Sequence, residues 1–372
     1  MKVALAIRSL DIGGAERQFI ELVKHIDKTR FDVTVCTMYG GAQEEIVKSI
    51  PLITYYNLGK KGRYDFVTFF KKYRQLLKEI QPDVTYSFLG EMNLFSLWCK
   101  PKKSKIIWGF RASNMDLKQY GKVPQILFWL QKRLSCRVDR IIANSSASIE
   151  FHRTQGFDMS RAMVIHNGID IERFKRDHNA RLKFRDMYGV RGDQIAIGIV
   201  ARIDYMKGYT VFAKAMKKIL DRYDQVKAFA VGDGDRTIKK RCEEILGAHN
   251  GVRFQWLGQR GDVEVVYSGL DIAVSSSSFG EGFSNSIAEA MSCEVPCVVT
   301  DVGDSKKMVG ATGIVVEPNN VNSLYCGIKE MISKKNVISL GKKARKRIKE
   351  KFSIERMVMK TERALFHVIE SM

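Results

Sequence analysis

The sequence has no apolar run that approaches the ~18–20 residues needed to cross a bilayer. Its first strongly apolar stretch is broken early by Arg8 and Asp11, so it reads as an opening β-strand and not as a secretory leader. The seven cysteines are scattered and odd in number, and the one close pair, Cys293 and Cys297, has no histidine beside it. This pattern argues against a disulfide framework or a zinc site and for core thiols in a reducing compartment. His25, His152, His166, His178, His249 and His367 show no metal-ligand spacing, and each reads as structural or surface. Low-complexity tracts are missing, as are repeats with a period of about 20–50 residues. Acidic residues are in deficit: 41 Asp and Glu stand against 62 Lys and Arg, a formal charge of +21. That imbalance implies an anionic partner, whether nucleic acid, a lipid surface or a phosphorylated ligand, and does not choose among them. The expected location is the cytoplasm, either free or peripheral at the inner face of the cell membrane.

What is present is material for two cores. The 372 residues are 45% hydrophobic and long for a single domain. Short apolar runs alternate with helical periodicity. Strands are expected at Lys2–Ile7, Phe31–Thr37, Ile53–Tyr56, Val84–Phe88, Lys105–Trp108 and Arg140–Asn144, with helices at Ala15–His25 and Asp65–Ile80. The pattern recurs with strands at Ile195–Ala201, Lys227–Val231, Val252–Trp256, Ile272–Ser275 and Pro296–Thr300. Helices are expected at Gly208–Leu220 and Arg236–Leu246. Strands alternating with helices predict doubly wound parallel sheets, hence an α/β fold of two Rossmann-like domains. The turn-forming segment His166–Asp170 suggests the boundary, dividing residues 1–166 from 167–353. The last helical stretch, from residue 354, is expected to return to the first domain.

Four constellations carry chemistry. In Phe279-Gly280-Glu281-Gly282-Phe283-Ser284 a serine-rich strand (Ala273–Ser278) meets a glycine-flanked turn and then a helix. Such a turn exposes backbone N–H groups at a helix N-terminus, a ready phosphate site. Glu281 stands in the turn and Glu289 in the helix. In Val200–Gly208, Arg202 closes a strand and Lys207 precedes a helix, where two cations can neutralise a diphosphate. Gly13-Gly14-Ala15-Glu16-Arg17 follows the first strand and lets backbone approach a ligand closely, but lacks the spaced dinucleotide fingerprint. Gly232-Asp233-Gly234 is a further glycine turn.

Together these residues resemble the retaining glycosyltransferases of family 4, also called group 1, with the GT-B fold of two facing Rossmann-like domains and a donor cleft between them. The resemblance covers essentially the whole chain. Its most specific mark is the glutamate pair in Glu281-Gly282-Phe283-Ser284-Asn285-Ser286-Ile287-Ala288-Glu289. It implies transfer of a sugar from a UDP- or GDP-sugar to a hydroxyl of a saccharide or polyprenyl-linked saccharide, in bacterial surface polysaccharide synthesis. No cofactor or metal is implied. The donor diphosphate falls to Arg202 and Lys207, the donor sugar to Glu281, Gly282, Phe283 and Ser284, and the ribose to Glu289. The Gly13–Gly14 loop closes over the donor. Many members carry a histidine near Ile107–Asn114; here Arg111 stands at or near that place, a candidate catalytic residue or an anchor for an anionic acceptor.

Two rival classes share some of these features. A nucleotide-sugar 2-epimerase has the same architecture, but the first domain lacks a convincing acid/base set for it. A nucleic-acid-binding protein would use the charge, but no such motif is present, so no nucleic-acid partner is expected. Finally, Phe66, Phe69, Phe70 and Tyr73 lie beside Lys71, Lys72, Arg74 and Lys78, and Ile126–Leu130 precedes Lys132, Arg133 and Arg137. Such mixtures suit an anionic membrane surface.

Overall fold

The computed structural model describes residues 1–62, 65–111, 113 and 122–370. The chain forms two compact units, Met1–Gly168 with Ile354–Met372, and Ile169–Ser353. The break falls after Gly168 and not after residue 166. The reason is local: Gln18 brackets Gly168, donating from Nε2 to its carbonyl at 2.9 Å and accepting its N–H at 2.7 Å. A Cβ at Gly168 would also lie 2.7 Å from the backbone of Ile354, so only glycine lets these two segments of the first unit approach.

In the first unit, β1 (Lys2–Ile7), α1 (Gly14–His25), β2 (Asp32–Thr37), α2 (Glu44–Lys48), β3 (Ile53–Asn57), α3 (Phe66–Ile80) and β4 (Val84–Phe88) come first. They are followed by α4 (Gly90–Cys99), β5 (Lys105–Phe110), α5 (Lys122–Leu134), β6 (Arg140–Ala143), α6 (Ser146–Thr154) and β7 (Ala162–Val164). The strands form one parallel sheet in the order β3-β2-β1-β4-β5-β6-β7. Strand β1 shows why it sits at the centre. Val3, Leu5 and Ile7 pack with Phe19 and Val23 of α1, while Ala4 and Ala6 join Phe69 and Tyr73 of α3 in a separate cluster. A strand covered on both faces must be apolar, and this one is from Val3 to Ile7.

The second unit runs α7 (His178–Met187), β8 (Ile195–Val200), α8 (Tyr209–Arg222), β9 (Val226–Val231), α9 (Arg236–Leu246), β10 (Phe254–Gly258), α10 (Val263–Gly269) and β11 (Ile272–Ser275). It continues with α11 (Asn285–Ser292), β12 (Cys297–Thr300), α12 (Ser305–Val309), β13 (Ile314–Val316), α13 (Val321–Ser333) and α14 (Val337–Lys351). Its sheet is also parallel, in the order β10-β9-β8-β11-β12-β13. Each sheet reverses direction of growth beside its first strand, at β1/β4 and β8/β11. That switch point is where such folds place ligands, outside the carboxyl ends of the strands.

Helix α15 (Ile354–Glu370) follows the second unit in sequence and packs in the first. Ile354, Met357, Val358, Thr361, Leu365 and Val368 are buried at helical spacing, and several join the α1 cluster. Most expected strand ends move by no more than two residues, and two changes stand out. The Val252–Trp256 segment pairs only from Phe254, and the serine-rich strand ends at Ser275. Beyond Ser275 the chain leaves the sheet because Ser276 and Ser278 bond the Met206–Lys207 turn instead.

Candidate functional site

The second unit gathers its polar loops at the β8/β11 switch point. After β8, Asp204 caps a single tight turn, Tyr205–Lys207, with Oδ1 accepting the Met206 N–H at 2.9 Å. Gly208 then adopts φ +62°, and a Cβ there would lie 2.0 Å from the Ser276 carbonyl. This close approach stitches the two loops together. Ser276 Oγ donates to the Lys207 carbonyl and the Ser278 N–H to the Met206 carbonyl, both at 2.8 Å. The result is that Lys207 Nζ meets Glu281 Oε1 in an ion pair, and the same oxygen accepts from Ser277 Oγ at 2.9 Å. Glu281 is only 7% exposed and Glu289 only 4%, so neither is a solvated surface carboxylate. Arg202 differs: its side chain is exposed and donates to Asp204 Oδ2 at 3.1 Å.

The Glu281–Gly282 turn is held from behind. Gly303 has φ +63°, and a Cβ there would meet the Glu281 carbonyl at 2.4 Å; Asp304 N–H donates to the Gly282 carbonyl at 3.0 Å. Phe283 is buried against Phe352, with ring centroids 5.4 Å apart. Ser284 precedes α11 without capping it, its Oγ lying 3.2 Å from Ser286 Oγ. On α11, Glu289 Oε2 accepts from the Tyr267 hydroxyl at 3.5 Å. The Asp233-Gly234-Asp235 run has the spacing of an acidic metal motif, but its carboxylates serve local structure. Asp235 caps α9 through the N–H groups of Thr237 and Ile238, and Asp233 accepts from Gly234. Among the described residues no cluster of three His, Cys, Asp or Glu could hold a metal.

The first unit has its own polar centre. Gly13 precedes α1, which starts at Gly14, and the Glu16 side chain folds back so that a Cβ on Gly13 would lie 2.1 Å from it. Burial raises the Glu16 carboxyl above its ordinary value, and its own backbone N–H opposes the shift. Arg111 follows β5. Its Nη2 donates to the Tyr86 hydroxyl at 2.7 Å, Nη1 reaches Asn167 Oδ1 at 3.5 Å, and the guanidinium lies 4.2 Å from the Phe88 ring centroid. Its Nε is buried without a hydrogen-bond partner, and no carboxylate pairs with it among the described residues. Burial lowers its pKa, with Tyr86 opposing, yet an arginine remains charged.

Arg111 lines a cavity of about 350 Å³ with Arg8, Gly90, Glu91, Phe128 and His152. Leu89, at its edge, holds φ +71°, a strained value for a branched side chain, where the chain turns into α4. His152 is buried, stacks on Phe110 at 4.2 Å and places Nδ1 2.7 Å from the Ser148 carbonyl. Burial pushes its pKa down to about 4, so it is neutral. Part of the Arg111 segment, residues 112 and 114, lies outside the described residues. The aromatic-basic mixtures divide: Phe69 and Tyr73 are core residues, with Tyr73 bonding Ser96 at 3.0 Å, while Val67, Ile126 and Trp129 are exposed. Among the described residues no helix is long and apolar enough to cross a membrane.

Asp204, Ser277, Gly303, Tyr86 and His152 all shape these centres and went unrecognised in the sequence. Tyr86, Gly303 and His152 act through contacts distant along the chain, whereas Asp204 and Ser277 lie inside recognised motifs as residue types common in any turn.

Two parallel α/β units of Rossmann strand order, with polar loops at the carboxyl ends of their strands, define the GT-B class. Residues 12–173 match the family described as Glycosyltransferase Family 4, and residues 194–334 match Glycosyl transferases group 1. The chain belongs to these glycosyltransferases. It is 28% identical over 251 residues to an uncharacterized glycosyltransferase of Methanocaldococcus jannaschii, covering 65% of this chain and 62% of that one. It is 24% identical over 349 residues to a Campylobacter jejuni N-acetylgalactosamine-N,N'-diacetylbacillosaminyl-diphospho-undecaprenol 4-alpha-N-acetylgalactosaminyltransferase, covering 89% of this chain and 90% of that one. Among solved structures, Anabaena Alr3699/HepE in complex with UDP superposes with a TM-score of 0.84 at 21% identity, covering 99% of this chain and all of that one.

Proposed function

We propose that this chain transfers a sugar from a nucleoside-diphosphate sugar, with retention of configuration, to a hydroxyl of a saccharide or lipid-linked saccharide. The observation that carries the reading is the pairing of half-buried Lys207 with buried Glu281 at the β8/β11 switch point. With Arg202, Lys207 supplies two cations for the diphosphate. A donor diphosphate would draw Lys207 away and free Glu281, held by Ser277, to face the positive charge that develops on the sugar ring. Glu289 takes the ribose hydroxyls, the Gly13–Gly14 loop approaches the donor, and the leaving phosphate oxygen can accept the acceptor's proton. Neutralisation by side chains makes a metal unnecessary, so chelation by EDTA should leave turnover unchanged.

The relatives support the class of donor and acceptor. The Anabaena structure holds UDP, and the Campylobacter protein's name specifies a diphospho-undecaprenol acceptor. Synthesis of a bacterial surface polysaccharide, at an anionic membrane face, is the setting we infer. The test is thermal stabilisation by a panel of UDP-, GDP- and ADP-sugars, followed by NMR of the product anomer. Stabilisation by one nucleotide series and a retained anomer are expected. Failure of every nucleotide to stabilise the protein would sink the donor site, and an inverted anomer would remove it from the retaining class.

A further inference from the structure

The first unit contains a second, larger hollow. Helices α3, α4 and α5 border a groove of about 860 Å³, within the range of sites that hold small molecules. Its walls include Val67, 69% exposed, Ile126, 57% exposed, and Trp98, 42% exposed, one from each helix. Scattered surface apolar residues are ordinary, but a concave apolar surface assembled from three helices is not. Lys71, Arg74 and Lys78 of α3 also line it.

This groove continues into the Arg111 cavity, since Glu91 and Leu127 line both. One end of the continuous surface therefore carries the Arg8 and Arg111 guanidinium groups, and the other is a mainly apolar groove with Lys71, Arg74 and Lys78 along its α3 wall. Glu91 is engaged by Arg8 at 3.6 Å. Arg111 is left as a half-buried cation with a buried, unbonded Nε and no carboxylate partner among the described residues, a state that an incoming anion would relieve. A surface with two guanidinium groups at one end and a mainly apolar groove, its α3 wall formed by the stems of long cationic side chains, is complementary to a molecule with an anionic head and a single apolar chain.

We infer that this surface binds a single-chain lipid diphosphate, its diphosphate at Arg111 and Arg8 and its hydrocarbon chain along the α3–α5 groove. The inference rests on the reading that the first unit receives the acceptor, and it names that acceptor's chemistry. A bilayer face would need apolar side chains standing out from a convex surface, whereas here they line a recess that fits one chain.

The test is calorimetry on the full chain with UDP present to occupy the diphosphate clamp of the second unit. The probes are inorganic pyrophosphate and the geranyl, farnesyl and geranylgeranyl diphosphates. Affinity should rise severalfold with each isoprene unit as apolar area is buried. Val67→Asp and Ile126→Asp, both at exposed positions, should flatten that rise and leave pyrophosphate binding unchanged. Arg111→Met should weaken all four probes about tenfold or more, the loss expected of a charge-assisted contact. Absence of any chain-length dependence in the wild type, or its persistence in both aspartate variants, would overturn the inference. Loss of adsorption to phosphatidylglycerol vesicles in those variants, with the chain-length dependence intact, would assign the groove to bilayer contact instead. Because binding is read without sugar transfer, the two readings fail separately. A chain that binds the lipid series but transfers no sugar overturns only the enzymatic reading. One that glycosylates soluble acceptors without chain-length dependence overturns only this one.

Discussion

The two units share a strand order and treat charge in opposite ways. In the second, the half-buried cation Lys207 sits on the buried carboxylate Glu281, and exposed Arg202 sits on Asp204. In the first, Arg111 is half-buried against a phenol, an amide and an aromatic face, with no carboxylate partner among the described residues. A paired charge is stable at rest and must be separated to act. An uncompensated one is strained at rest and relieved by a ligand. The same fold thus holds one centre closed on itself by an ion pair and another whose cation has no carboxylate partner among the described residues.

The largest effect should come from opening the closed centre at its carboxylate. Glu281→Gln keeps the shape and removes the charge, so transfer should fall about 10²–10³-fold with a smaller change in donor binding. Steady-state kinetics with separate donor titration would decide it, and near-wild-type turnover would contradict the role. Lys207→Met tests the same pair by stability. It strands a buried carboxylate and should destabilise the second unit by about 3 kcal/mol in urea unfolding. A loss below about 1 kcal/mol would show that Glu281 is well served without its lysine.

The third prediction concerns His152, whose folded-state pKa of about 4 lies below the ordinary 6.5. Its contribution is present in full above pH 6.5 and is lost as pH falls toward and through 4, because only the unfolded chain takes up the proton readily. The loss should reach up to about 3 kcal/mol. His152→Phe should flatten the slope of stability against pH in that window, and an unchanged slope would place the titrating group elsewhere.

The smallest effect sharpens the contrast. Arg111→Met strands no carboxylate, so unfolding free energy should change by less than about 1 kcal/mol or rise. A loss like that of Lys207→Met would mean that Arg111 has a structural counter-charge and that the two centres are alike.

Much of the fold is legible from local pattern. Strands β1, β4 and β11 are short apolar runs bounded by turns, and β1 is read to the residue. Strands β7 and β13 escape because three residues carry no usable period. Helix α4 escapes because Met92, Asn93, Leu94, Phe95 and Ser96 are all buried, which erases the amphipathic stripe. Glu281 and Glu289 are legible as a pair because the turn and the helix that carry them are contiguous. Lys207 and Glu281 stand 74 residues apart, so each is visible as a candidate but their contact is not.

The sequence by itself determined the α/β class, the two runs of alternating elements and the local motifs at the strand ends, because these follow from periodicity and turn chemistry within a few residues. Only the tertiary structure decided which charges meet. Glycine at 208 lets one loop touch another and delivers Lys207 to Glu281. Packing of Tyr86, Phe88 and Asn167 around Arg111, and of four phenylalanines around His152, sets one side chain as a cation without a carboxylate and the other as a neutral ring. Those outcomes depend on distances between segments far apart in the chain, and no local pattern encodes such a distance.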